Sequence, residues 1–168
     1  MKRHIFLIGM PGSGKSSLGR RTANRMGIPY VDTDHIITQV VGKSIQEIFQ
    51  TLGEQAFRNA ETNILFDLVG KEPAIVSTGG GMILRDINQK IMQNHGVVLL
   101  VDRPIDQILS DIKLDRRPML AEKGIEEVPR LYEERIPVYK ALADDVLDNS
   151  KGYYPGLSNL ERLIKEWA

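Results

Sequence analysis

The sequence predicts an α/β fold: three layers, α/β/α, built around a five-stranded, mostly parallel sheet. Three observations carry that reading. Short apolar runs recur at residues 5–8, 30–31, 74–76, 97–101 and, more weakly, 146–147. The runs are continuous rather than alternating, which calls for strands covered on both faces, the condition of a parallel sheet under flanking helices. Segments of helical periodicity lie between them, so β and α alternate along the chain.

In chain order, the run Ile5-Phe6-Leu7-Ile8 leads directly into Gly9-Met10-Pro11-Gly12-Ser13-Gly14-Lys15-Ser16, and then into a helix that starts near Lys15 and covers 17–26. The loop matches G-x-x-x-x-G-K-[ST] in the strand-turn-helix context that the motif requires. Backbone N–H groups in such a turn converge on one concave site, and the helix start adds positive potential, so phosphate is its natural occupant. Gly12, Ser13, Gly14, Lys15, Ser16 and Ser17 would surround it, with Lys15 reaching the outer phosphates and the Ser16 hydroxyl ligating Mg²⁺. Further on, Ser44-x-x-Glu47 forms a candidate capping box ahead of Ile45, Ile48 and Leu52. A helix over 56–69 carries Ala56, Phe57, Ala60, Ile64, Leu65 and Leu68 on its apolar period. More helices are expected at 87–94, 105–114, 128–143 (interrupted at Pro137) and 157–167, with Gly96 as a C-terminal stop. The stretch 115–127 has poor periodicity, contains Arg116, Arg117, Pro118 and Gly124, and reads as a mobile loop.

The chain has 168 residues, which fits a single domain over 1–168, long enough to bury about 70% of its unfolded surface. Lys plus Arg and Asp plus Glu both number 22, so the net charge is zero. Nothing in that balance attracts nucleic acid or an anionic membrane, and any anion specificity must be local. There is no cysteine, which excludes disulfides, thiolate zinc sites and cysteine catalysis together. The chain enters a strand without a charged-then-apolar leader, and no apolar run approaches the ~20 residues that span a bilayer, so a cytoplasmic location is expected.

Ligands of open parallel sheets bind beyond the carboxyl ends of the strands, which singles out the residues just after each run. These are Asp32-Thr33-Asp34, Ser77-Thr78-Gly79-Gly80-Gly81, Asp102-Arg103-Pro104 and Asp148-Asn149-Ser150. Asp32 would join the Mg²⁺ shell, and Asp34 would accept a proton or hydrogen bond from a substrate hydroxyl. An Asx turn at a strand end is the alternative on the residues alone. Three consecutive glycines imply either positive φ or a ligand close to the backbone, against the alternative of a floppy loop. Arg58, Arg117 and Arg135 stand out because a planar guanidinium matches carboxylate or phosphate. Arg58 has Glu61 three residues on, close enough to orient it, and Arg117 sits in the expected mobile loop. A solvated face is the alternative for each arginine taken alone.

Taken together, GMPGSGKSS at 9–17, DTD at 32–34, FRNAE at 57–61, STGGG at 77–81, RPML at 117–120 and RIPVY at 135–139 make the chain resemble the shikimate kinases over essentially its full length. These are P-loop kinases related to nucleoside monophosphate kinases. The resemblance implies transfer of the ATP γ-phosphoryl, with Mg²⁺, to the 3-hydroxyl of shikimate on the aromatic amino-acid pathway. It implies Lys15, Asp34 and Arg117 as catalytic residues and Ser16 and Asp32 as metal residues. Asp34, Arg58, Arg135 and Gly79, Gly80 and Gly81 would hold shikimate, the two arginines gripping its carboxylate. Arg117, Asn149 and Ser150 would join the loop in binding ATP, with adenine against the loop 148–155. A helical substrate-binding segment over about 33–61, a lid over about 112–124 and a monomer binding only these small molecules complete the expectation. The chain departs from the family at Ser110, where many members carry an arginine that stacks on adenine.

Two other readings compete. A gluconate kinase would share the loop and sheet order, but not the DTD, FRNAE and triple-glycine set together. A nucleotide switch finds only Asp67-Leu68-Val69-Gly70 as a loose D-x-x-G match, and the chain has no guanine motif, the nearest string being Ile112-Lys113-Leu114-Asp115.

Overall fold

The computed structural model describes residues 1–114 and 126–167. The expected lid therefore falls, from residue 115 onward and with Arg117, outside the described residues. The strands are β1 (His4–Ile8), β2 (Tyr30–Asp32), β3 (Ile75–Ser77), β4 (Gly96–Asp102) and β5 (Asp145–Asp148). The helices are α1 (Lys15–Met26), α2 (Thr33–Val41), α3 (Ile45–Thr51), α4 (Glu54–Val69), α5 (Asp86–His95), α6 (Ile105–Leu114), α7 (Glu127–Leu142) and α8 (Tyr153–Trp167), with a 3₁₀ turn at Met82–Leu84.

All the strand pairs are parallel, in the order β2-β3-β1-β4-β5. The central β1 pairs with β3 (Phe6 opposite Val76) and with β4 (Phe6 opposite Val98). All five β1 residues are buried, and alternation sends them to opposite faces. Phe6 and Ile8 join Val76, Val98 and Leu100 in a core closed by residues of α2 to α7. Ile5 and Leu7 join Ile75, Val97, Leu99 and Val101 in a second core under α1 and α8. Two covered faces are the reason the runs read as continuous. Strand order departs from chain order at β1, which lies between β3 and β4, and the phosphate loop leaves the carboxyl end of that strand.

Local signals explain most boundaries. Ser44 caps α3 through a complete capping box: Glu47 N–H donates to Ser44 Oγ at 3.1 Å, and Ser44 N–H donates to Glu47 Oε2 at 2.8 Å. The helical segment expected from about residue 33 begins at once, and four other readings need adjustment. The helix α2 follows β2 directly, because the Asp32 carboxylate accepts from His35 N–H at 3.2 Å and caps it. Gly96 follows the last residue of α5, as expected of a stop, but without a left-handed cap. It opens β4 with extended backbone, and a Cβ there would meet the Phe6 ring at 2.6 Å. Pro137 does not interrupt α7, which runs through it. The segment 148–155 is a loop only up to Gly152, since Tyr153, Tyr154 and Pro155 form the first turn of α8. The glycines 79–81 do not take positive φ.

Candidate active site

The phosphate loop is shaped by Gly9, Gly12 and Gly14, at φ +143°, +84° and +102°. Gly14 then gives way to α1, so the helix N-terminus and the loop share one site. Lys15 is buried, its Nζ donating to the carbonyls of Gly9 at 2.8 Å and Met10 at 2.9 Å. Those bonds lay the ammonium across the loop. Ser16 Oγ donates to Asp32 Oδ2 at 2.8 Å, and the Tyr30 hydroxyl reaches the same oxygen at 3.4 Å. One hydroxyl and one carboxylate of hard oxygen character thus stand beside the loop, a donor set that fits Mg²⁺ shared with substrate phosphates. Among the described residues, no group of three or more His, Cys, Asp and Glu could hold a metal by itself.

Beside the loop opens a cavity of about 620 Å³. Its walls include Pro11, Gly12, Gly14, Lys15, Ser16 and Ser17 from the loop and α1, then Asp32, Asp34, Arg58, Glu61, Gly79, Gly80, Gly81 and Arg135. Ile45, Phe49, Phe57 and Leu131 add an apolar side. Asp34 lies in the first turn of α2, and its Oδ1 is buried without a hydrogen-bond partner among the described residues. Burial, with the nearby Asp32 charge, pushes its carboxyl up to about 6, although Lys15 and Arg58 pull the other way. Glu61, one turn beyond Arg58 on α4, is fully buried. Burial pushes it up to about 7 against the pull of Arg58.

Arg58 is held from several sides. Its Nη1 donates to Glu61 Oε2 at 2.8 Å, Nη2 reaches Glu54 Oε1 at 3.4 Å, and the guanidinium lies 5.3 Å from the Phe57 ring centre and 6.0 Å from that of Phe49. A fixed, mostly desolvated guanidinium is a strong and oriented carboxylate receptor. Arg135, on α7, lines the same cavity; a Cβ on Gly80 would lie 3.2 Å from its Nη1, next to the Gly81 position that Arg58 crowds. The Tyr139 hydroxyl donates to Gly80 O at 2.6 Å and braces the glycine segment.

Those glycines are glycines because the site's own side chains press on them. A Cβ at Gly79 would meet Asp34 Oδ1 at 2.7 Å and Glu61 Oε1 at 3.0 Å; one at Gly80 would meet Pro11 Cδ at 2.8 Å; one at Gly81 would lie 2.6 Å from Arg58 Cζ. The sequence reading offers positive φ or a ligand close to the backbone; in the structure the atoms that crowd these positions belong to the chain itself. Asn149 is buried behind the loop and donates to Ser13 O at 2.7 Å, while Ser150 accepts from Gln107 at 2.9 Å; neither lines the cavity. Ser110 is exposed on α6. Sequence reasoning missed Glu54, Tyr139 and Thr33, which accepts Gly79 N–H at 3.2 Å. Glu54 stands four residues before Arg58, a helical pairing distance that the sequence offers; Thr33 and Tyr139 lie inside the strings at 32–34 and 135–139, but their hydrogen-bond partners at 79 and 80 are far off in sequence.

A parallel sheet with a G-x-x-x-x-G-K-[ST] loop leaving its central strand, and a carboxylate and two arginines facing that loop across one cavity, define a P-loop kinase of small molecules. The model of one family, shikimate kinase, matches residues 11–155. The chain belongs to the shikimate kinase family. It is 35% identical to a shikimate kinase of Clostridium botulinum (strain Eklund 17B / Type B) over 98% of each chain. Among solved structures, shikimate kinase from Acinetobacter baumannii in complex with shikimate superposes with a TM-score of 0.88 at 28% identity, covering 98% of this chain and 92% of that one. A gluconokinase from Sinorhizobium meliloti 1021 shares only the fold, with a TM-score of 0.58 at 16% identity over 98% and 95% of the two chains.

Proposed function

We propose that this enzyme transfers the γ-phosphoryl group of ATP to the 3-hydroxyl of shikimate. The observation that carries the reading is the single cavity in which Asp34, Arg58 and Arg135 face the phosphate loop. Phosphoryl transfer asks a protein for positioning and charge stabilisation rather than covalent chemistry. Arg58 and Arg135 together grip the shikimate carboxylate, and the glycine segment 79–81 lies beneath them. That grip aims the ring hydroxyls at Asp34. Its carboxylate takes the proton of the attacking hydroxyl as the new O–P bond forms and the bond to the β-phosphate oxygen breaks, leaving ADP. Lys15 follows the charge that builds on the transferring and leaving oxygens. Ser16 and Asp32 hold Mg²⁺, which when bound neutralises phosphate charge and orients the nucleotide.

Arg117 joins the nucleotide phosphates in this reading, within a lid over about 112–124, and Asn149 and Ser150 serve the nucleotide from behind the loop. The reading takes the chain to be a cytoplasmic monomer acting on two small molecules. No helix among the described residues is long and apolar enough to cross a membrane. Product analysis by phosphorus and proton NMR tests the reaction. A phosphate ester on the 3-hydroxyl of shikimate is expected; an ester on another hydroxyl, or none, contradicts the geometry assigned to Asp34.

A further inference from the structure

Two neighbouring carbonyls of the phosphate loop are each held by a side chain from a different strand end. Arg103, the first residue after β4, donates from Nη1 to Gly12 O at 3.0 Å. Asn149, the first residue after β5, donates from Nδ2 to Ser13 O at 2.7 Å. The Arg103 guanidinium is itself fixed, with Nη1 paired to Asp111 Oδ2 on α6 and Nε donating to Gln107 Oε1 at 3.4 Å. Gln107 then donates from Nε2 to Ser150 O at 2.9 Å, which ties the two strand ends together.

Carbonyl and N–H of one trans peptide point opposite ways. Holding the carbonyls of Gly12 and Ser13 therefore fixes where the N–H groups of Ser13 and Gly14 point. The loop needs that help. Gly12 and Gly14 hold positive φ, and glycine offers little resistance to peptide rotation. A rotated Ser13–Gly14 peptide would aim an oxygen, not an N–H, at an anion. The Gly12–Ser13 peptide that Arg103 holds acts through the shape of the loop: its Ser13 N–H closes a turn onto Met10 O at 3.1 Å, so holding it sets the curvature that presents the neighbouring N–H groups.

We propose that Arg103 is a positioning residue for the phosphoryl donor, acting through the Gly12–Ser13 peptide and kept in place by Asp111. The proposal rests on the reading of the loop as the ATP site. It separates the donor side of the reaction from the acceptor side, because none of Arg103, Gln107 and Asp111 lines the shikimate cavity.

Calorimetry with ATP and Mg²⁺, and separately with shikimate alone, tests it on the wild type and on Arg103→Met, Arg103→Lys and Asp111→Ala. Loss of a hydrogen bond to a charged donor predicts a rise in ATP Kd of about tenfold in Arg103→Met. Arg103→Lys, which keeps one donor, recovers part of it, and Asp111→Ala gives about threefold. Shikimate Kd stays at the wild-type value throughout. Unchanged ATP Kd in Arg103→Met overturns the proposal, as does an equal loss of both ligands with a lowered Tm. Should Arg103→Met not fold, unchanged ATP Kd in Asp111→Ala overturns it equally, since Asp111 is half exposed and removing it spares the core. Wild-type turnover with shikimate is read alongside: its absence overturns the functional reading and leaves the nucleotide comparison standing.

Discussion

Asp34 and Glu61 are carboxyls whose protons are held more tightly in the folded chain than in the unfolded one. The cause is burial in both cases, and the values reach about 6 and about 7. A base must be ionised, so kcat/KM for shikimate should rise with pH through about 6 and flatten above it. Asp34→Asn should abolish that limb and lower kcat by ~10² or more. The same burial gives a second sign. Raised folded values mean that stability falls as pH rises from the unfolded carboxylate range through 6 to 7, and the ionised Asp34 opposes folding by on the order of 2–3 kcal/mol at pH 8. Asp34→Asn should therefore raise Tm at pH 8 while it lowers turnover; a lower Tm would mean that the carboxylate is a structural anchor. Gly81→Ala would push the Arg58 guanidinium off its bond with Glu61, because the new methyl would lie 2.6 Å from Cζ. Its shikimate KM should rise ~10-fold or more with ATP KM unchanged, since the receptor loses its orientation and not its charge; a normal shikimate KM would show the guanidinium free to adjust. Lys15→Met should lower kcat by ~10² with shikimate KM nearly constant, because the contact strengthens only as charge moves in the transition state. Near-normal kcat in that variant would remove Lys15 from the reaction.

At the scale of elements, the strands and most helices were legible because their signals are local. The apolar runs, the capping box at Ser44 and the glycine loop each report on a few consecutive residues. What failed to show depended on partners distant in sequence. Gly96 reads as a helix stop from its neighbours, yet its glycine answers to Phe6, ninety residues away. Asp32-Thr33-Asp34 shows the contrast: the cap of Asp32 on α2 is local, whereas its bond to Ser16 joins residues sixteen apart. Pairing of β1 to β3 has a similar long-range lock. His4 is buried, its Nδ1 accepting from Ala74 N–H at 3.2 Å, and burial holds its pKa below the usual 6.5. That acceptor role needs the neutral ring. A depressed folded pKa contributes stability above the unfolded value, which is lost as pH falls from 6.5 through the folded value. The wild type should thus lose Tm relative to His4→Gln between pH 7.5 and 5.5. A constant difference between the two across that window would show that protonation of His4 is tolerated in the strand.

For the molecule as a whole, the sheet order explains why a site scattered over the sequence becomes one cavity. Residues 9–17, 32–34, 58–61, 79–81 and 135 come from four connections, and the parallel sheet brings 9–17, 32–34 and 79–81 to the carboxyl ends of β1, β2 and β3. Arg58 and Glu61 arrive on α4, and Arg135 arrives on α7. Which residues belong to the cavity was legible as motifs; how they press on one another was not. The glycine segment shows this best, since its spacing pointed to an approaching ligand and the structure finds Asp34, Glu61, Arg58 and Arg135 there first. Under the proposed function, this crowding favours an acceptor that carries both a carboxylate for two arginines and a ring hydroxyl for Asp34. Gluconate offers a carboxylate on a flexible chain, and water offers neither group. Coupled measurement of ADP release with ATP and Mg²⁺, in the presence of shikimate, of gluconate or of no acceptor, tests that selectivity most directly. Release that depends on shikimate, with gluconate no better than the acceptor-free rate, is the predicted result; equal or greater release with gluconate, or release that ignores shikimate, would contradict it.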